Sequence, residues 1–289
     1  MLFEQIEKNK KKSLLIVFGF IILTLLTGGA FSYYLFGTFY FGLFATTIFI
    51  IVYVPFSILS AKRIVMKMNH AKKLTSKLQE RQLWNIVEEL SIAAGIPMLE
   101  IYIIKEDSPN AFAAGLSPSK SSVAVTTSLL ETLNREELEG VIAHEIAHIK
   151  NYDVRLTTIS LALVAIIAII SDFATNFIFR NSDNKNILLL VISLILLILS
   201  PVIAQIIHFS LSRNREFLAD ATGAELCRNP KALASALEKI SLTTNKVDNI
   251  PRSAASMYIS DPFKTKKVKK KWFSTHPPTE ERIKRLLNM

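Results

Sequence analysis

His144 and His148 stand four residues apart, with Glu145 beside the first, in the run His144-Glu145-Ile146-Ala147-His148. On a helix that spacing puts both imidazoles on one face, able to reach a single cation. Glu145 then sits about a third of a turn round. From there its carboxylate can reach a water at the cation without binding the ion, the division of labour in the HExxH zinc signature. The plain alternative is two histidines on a helix surface, since five-residue patterns arise by chance. Context weighs against it: Val141, Ile142, Ile146 and Ile149 surround the pattern, and the chain has only 5 histidines.

A catalytic zinc site takes three protein ligands and keeps one position open. Cys227 is the only cysteine and follows no ligand pattern, so the third ligand should be a carboxylate from another helix. Glu216 and Asp220 are four apart in the block Arg213 to Asp220 and share a helical face. One can bind the ion while the other accepts the outer N–H of a ligand imidazole. Spacing alone leaves a second reading level with this one, a surface helix on which Glu216 pairs with Arg213.

The elements that must hold these residues are legible in outline. Asn134 followed by Glu137 predicts a capping box that opens a helix running to about Lys150. Leu83, Ile86, Val87 and Leu90 give helical spacing over 81–94, stopped by Gly95-Ile96-Pro97. Three short strands are expected over 99–104, 110–114 and 122–126, the last pairing edge-on with an extended peptide. Asn229-Pro230 and Pro277-Pro278 each precede a further helix.

Around this runs a strongly apolar chain. Half of the 289 residues are hydrophobic, and the mean hydropathy is +0.34. No charged residue occurs between Lys12 and Lys62, and between Lys185 and Arg213 only His208 can ionise. Such clearings fit lipid, where a charge is expensive. The first is about twice the roughly 20 residues one helix needs to cross a bilayer, with Tyr33, Tyr34, Gly37 and Tyr40 at its middle, and reads as a retained helical hairpin. Lys8, Lys10, Lys11 and Lys12 precede it and Lys62, Arg63 and Lys67 follow, which puts both ends on the cytoplasmic side. A second hairpin is expected over 156–209, whether it crosses the membrane or only dips into it. The fold class is therefore a mainly α membrane protein with a small β-sheet. It has two transmembrane helical hairpins and a zincin-like cytoplasmic catalytic domain split by the second. The expected organisation is a tail and hairpin over 1–61, catalytic segments over 62–155 and 210–289, and the second hairpin between them.

The net charge of +10 invites a nucleic-acid reading. The basic residues cluster beside the apolar runs, however, and no recognition motif accompanies them, so no nucleic-acid partner is expected. A transporter would need more polar groups inside the hairpins. The Lys264 to Lys271 run reads as a solvated loop or an anionic-lipid contact. His70 and His208 match no motif.

Taken together, several blocks resemble the M48 family of membrane metalloproteases, and within it the HtpX branch. They are His144 to Asp153, Arg213 to Asp220, Asn110 to Gly115, and Thr275-His276-Pro277-Pro278 with Glu281-Arg282-Ile283. Their order is the family's, and with the hairpins the similarity spans nearly the whole chain. The resemblance implies one zinc ion per chain, held by His144, His148 and Glu216, with Glu145 as general base and Asp220 orienting a ligand histidine. It places His276 and Arg282 at the substrate backbone or tetrahedral intermediate, and Asn110 beside the bound peptide. Asp153 is read as a support for the ligands or as a helix-end residue. Ala114 departs from the branch, which often carries a hydroxyl there. The implied enzyme is a multi-pass endopeptidase of the plasma membrane, with its site on the cytoplasmic side. Its expected substrates are misfolded or damaged membrane proteins. The rival is an inactive membrane chaperone or scaffold of the same fold.

Overall fold

The structure, a computed structural model, describes residues 2–163, 213–243, 257–260 and 276–289. Two long helices open the chain, α1 (Leu2–Phe36) and α2 (Tyr40–Met68). They turn at Gly37, whose φ of 71° lies in the left-handed region that glycine adopts without a Cβ penalty. The helices pack antiparallel and closely: a Cβ on Gly42 would meet Gly28 O at 2.1 Å. Their outer faces carry Leu15, Phe18, Leu26, Phe41, Ile51 and Leu59, each at least 60% exposed. That is more contiguous apolar surface than water tolerates. Among the described residues, α2 is the one helix long and apolar enough to cross a membrane. The α1–α2 pair covers the stretch where the first hairpin is expected, and both helices extend past the uncharged residues. The second expected hairpin, beyond residue 163, lies outside the described residues, as do His208 and the Lys264 to Lys271 run.

A four-stranded sheet follows, with β1 (Lys72–Lys73), β2 (Glu100–Ile104), β3 (Ala111–Gly115) and β4 (Ser121–Thr126) in the order β1-β2-β4-β3. The β2–β4 pairing is parallel and the others antiparallel. The three expected strands are present within one residue of their expected bounds. β1, at two residues, is too short to carry a periodic signal. One expectation is corrected. β4 has a neighbour on both sides and offers no edge to a peptide; β3 is the outer strand on that side of the sheet among the described residues. Thr126 N bonds to Asn110 O, whereas Ala111 O accepts from Ile259 N and Gly115 N donates to Thr158 Oγ1. By the alternation of an antiparallel strand, Ala111, Ala113 and Gly115 direct their backbone groups away from β4.

The helices that complete the body are α3 (Arg81–Ala94), α4 (Thr127–Thr132), α5 (Arg135–Lys150), α6 (residues 153–163), α7 (Arg213–Cys227), α8 (Pro230–Leu242) and α9 (Thr279–Leu287). The capping box is present: Glu137 N donates to Asn134 Oδ1 at 2.9 Å, and Asn134 N to Glu137 Oε2 at 3.0 Å. Behind this cap α5 is buried among the sheet, α3, α7 and α8, with Val141, Ile142 and Ile146 in the main core. Two glycines allow that packing. A Cβ on Gly140 would sit 2.9 Å from Leu233 N, and one on Gly223 2.9 Å from His144 N. Lys62, at the far end of α2, bonds Glu100 Oε2 at 2.5 Å, and Lys73 bonds its other oxygen. The apolar helices are thereby joined to the sheet that faces the site.

Candidate metal centre

The chain presents its chemistry at a cavity between α5, α7 and the β3 edge, lined by His144, Glu145, His148, Glu216, His276 and Ala113 among others. Helix α5 aims both imidazoles inward, their Nε2 atoms 3.1 Å apart. Helix α7 brings Glu216 to meet them: Oε2 lies 3.9 Å from His144 Nε2, and Oε1 lies 3.5 Å from His148 Nε2. Glu216 is only 7% exposed, so the surface-helix reading of this block fails. All three donor atoms lie within 4.8 Å of one another.

The outer nitrogens are held by carboxylates. His148 Nδ1 faces Asp153 Oδ2 at 3.0 Å. His144 Nδ1 lies 2.9 Å from Asp220 Oδ1, at hydrogen-bond distance but a bent angle. With both Nδ1 atoms turned to carboxylates, the facing Nε2 atoms, 3.1 Å apart, are held by one cation between them, a proton on His148 when no metal is bound. Glu216 Oε2 is buried and has no hydrogen-bond partner among the described residues, a costly arrangement that a cation relieves. A tetrahedral zinc with bonds of roughly 2.0–2.2 Å sets its ligand atoms about 3.3–3.6 Å apart. The observed separations, from 3.1 to 3.9 Å, straddle that spacing. The donor set therefore fits the ion.

Electrostatics follow the same layout. Burial, with the Glu216 carboxylate adding to it, pushes Glu145 up to about 7, opposed by His148, Arg282 and a backbone hydrogen bond from Ala113. Burial would likewise raise Glu216, but His276, His148 and Arg282 outweigh it and hold the carboxyl at about 2. Burial would lower His148, yet the Asp153 hydrogen bond and Glu216 raise it to about 9. Burial lowers His276 to about 4 against the pull of Glu216, whose Oε2 lies 3.6 Å from its Nε2.

Arg282, from α9, is buried beneath the ligands. Its Nε and Nη2 bind the two oxygens of Asp220 at 2.8 and 2.7 Å, and Nη1 donates to Ile259 O at 3.1 Å. Nη1 also approaches Glu216 Oε2 at 3.9 Å. Nη2 lies 3.5 Å from His144 Nε2, so the group expected at the substrate backbone or tetrahedral intermediate stands at the centre. The guanidinium is occupied with Asp220 and Ile259, supporting the carboxylate that faces His144. Asn110, expected beside the bound peptide, bonds to the chain itself. Its side chain is buried, with Nδ2 donating to Ser260 O at 2.8 Å and Oδ1 accepting from Ala111 N at 3.1 Å. It clamps the chain's own 257–260 segment onto the start of β3.

Sequence reading missed two residues that shape this centre. Gly223 lets α7 approach the His144 backbone. Asn9, far away in sequence, donates to Asp153. Neither carries a local pattern: one is a helical glycine, the other a polar residue ahead of an apolar run.

The profile of peptidase family M48 matches residues 77–289. The chain belongs to peptidase family M48. Within M48 it is 48% identical over 304 residues to the protease HtpX homolog of Listeria monocytogenes serotype 4a (strain HCC23), covering all of both chains. The Listeria innocua serovar 6a homolog is 49% identical over 304 residues and that of Levilactobacillus brevis 44% over 299, again with complete coverage of both. The chain is thus a membrane metalloprotease of the HtpX branch of M48. Among solved structures, that of S. mikatae Ste24p matches at 19% identity with a TM-score of 0.48. It covers 98% of this chain, which spans 66% of that one. No assignment rests on that likeness.

Proposed function

We propose that this M48 metalloprotease holds one zinc ion through His144, His148 and Glu216 and cleaves peptide bonds in membrane proteins by general-base catalysis from Glu145. The observation that supports it best is the convergence of two imidazole Nε2 atoms, 3.1 Å apart, on a buried carboxylate oxygen that has no hydrogen-bond partner among the described residues. Zinc in such a site acidifies water to a pKa of roughly 7 and polarises a carbonyl.

The chain's own groups do the rest. Glu145, raised toward neutrality by burial, is poised to take a proton from the attacking water and pass it to the leaving amine. His276, kept neutral by burial, can donate one N–H toward the oxyanion that forms, a contribution often worth about 3 kcal/mol. Asp220 and Asp153 hold the outer nitrogens, so each ligand imidazole keeps its Nε2 lone pair inward. An extended peptide lies along the outer side of β3 and bonds the Ala113 carbonyl, a backbone contact that engages little sequence detail and favours broad specificity.

The apolar α1–α2 pair and the basic residues at its ends support anchoring in the plasma membrane, with the metal site on the cytoplasmic side. About eight residues separate His148 from the start of the second hairpin, roughly 12 Å if helical. That hairpin, over 156–209, would divide the catalytic segments 62–155 and 210–289. A site held this near the bilayer suits misfolded or damaged membrane proteins and their loops, a quality-control role.

The test compares zinc content and casein cleavage for the purified protein and Glu145→Gln. One zinc per chain in both, with cleavage lost only in the variant, is the expected result. Equal cleavage would remove Glu145 from the mechanism. No cleavage by either protein would leave the rival of an inactive chaperone.

A further inference from the structure

Helix α1 begins ahead of the first apolar stretch, and one of its residues reaches the metal centre. Asn9 is 2% exposed, and its Nδ2 donates to Asp153 Oδ1 at 2.6 Å and to Asn151 O at 3.2 Å. Both neighbours are acceptors, so the amide nitrogen must face them. The other oxygen of the same carboxylate, Oδ2, faces His148 Nδ1. Arg215 Nη1 stands 3.4 Å from Oδ1. Asp153 is therefore fixed at both oxygens, and the shortest contact comes from α1.

The turn that carries Asp153 needs such a tether. Tyr152 has a φ of 60°, a left-handed conformation costing a non-glycine residue about 1–2 kcal/mol. It folds the chain back so that Asp153 meets a side chain only five residues earlier. Strain of this kind persists where several contacts hold it. Here α1 supplies one more, the bond to Asn151 O, whereas exposed Lys10 only lays its Nζ 4.5 Å above the Tyr152 ring.

We infer that Asn9 is a positioning residue for the metal ligand His148, acting through Asp153, so that the N-terminal helix α1 is coupled to metal retention. The inference rests on His148 being a ligand. Partners that orient a ligand imidazole typically change metal affinity by about 10- to 100-fold when removed. Asn9 stands one bond further out, so the lower end is expected.

The experiment uses the full-length protein in detergent and follows zinc release to a chromogenic chelator, with thermal unfolding and kcat and KM alongside. Asn9→Ala should release zinc about tenfold faster, with KM little changed. Lys10→Ala loosens the same helix-to-turn contact without touching Asp153, and should stay within about twofold of wild type. In the background of Asp153→Ala, Asn9→Ala should add nothing. Wild-type release from Asn9→Ala, or a full additional effect in the Asp153→Ala background, would overturn the coupling. A His148→Ala protein that retains its zinc would instead overturn the ligand assignment beneath it, so the two failures are told apart. A general loss of fold would show as equal acceleration in Asn9→Ala and Lys10→Ala, which also overturns the specific link.

Discussion

Gly223→Ala isolates how helix packing sets the metal centre. A Cβ at position 223 would lie 2.9 Å from His144 N and 3.0 Å from His144 Cα, whereas ordinary contacts begin near 3.4 Å. The obstructing atoms are helix backbone, with no flexible side chain to swing aside, so α7 must retreat from α5 by about half an ångström. Glu216, Asp220 and Gly223 recur at spacings of four and three on one face of α7, so the retreat passes directly to both carboxylates. Half an ångström is about the tolerance of a functional constellation. Overpacking of this kind costs about 1–3 kcal/mol, or roughly 5- to 150-fold in metal affinity if expressed at the ligands. Helix propensity predicts the opposite sign, because Ala normally stabilises a helix relative to Gly by roughly 0.5–1 kcal/mol. The assay is competitive zinc titration beside chemical denaturation, with Gly140→Ala as companion. That variant meets Leu233 at the same 2.9 Å but touches no ligand. Stability should fall in both variants and zinc affinity in Gly223→Ala alone. Wild-type zinc affinity in Gly223→Ala would refute the reasoning.

Further outcomes can be checked on the same protein. Arg282→Ala strands the buried Asp220 carboxylate and should lower stability by about 3–5 kcal/mol in denaturant titration; a loss below about 1 kcal/mol would show that Asp220 finds another partner. Burial would raise Glu100, but its bonds to Lys62 and Lys73 hold it at about 2. Its stabilisation is therefore complete above the ordinary value of 4.5 and lost as the pH falls toward 2. With the side chain 36% exposed, screening keeps this to about 1 kcal/mol or less. Glu100→Gln should thus be less stable than wild type at pH 7, and the gap should narrow between pH 4.5 and 2; a constant gap would contradict the pairing. Asn110→Ala should loosen the 257–260 segment and raise protease nicking there, while zinc content stays at wild type.

How far the sequence spoke depended on how local each cause was. The capping box needs only Asn134 and Glu137, three residues apart, and the helix carrying both histidines followed from it. Glu216 and Asp220 were legible as a pair because four-residue spacing is itself the helical signal. What decides between their two readings is burial against α5, which no spacing shows. The order of strands was out of reach for the same reason. Alternation marks 122–126 as a strand but says nothing about β2 lying parallel on its far side, so the outer position was assigned to the wrong strand. The resemblance places Asn110 beside a bound peptide, but no local pattern shows its bond to Ser260, 150 residues away. Asn9 is the extreme case, bonded across 144 residues.

Zinc X-ray absorption on the purified protein, compared with Glu216→Ala, tests the central claim most directly. The account predicts one zinc with two imidazole nitrogens at roughly 2.0–2.1 Å and a carboxylate oxygen, the oxygen signal altered and affinity sharply reduced in the variant. A spectrum and affinity unchanged by Glu216→Ala would contradict it.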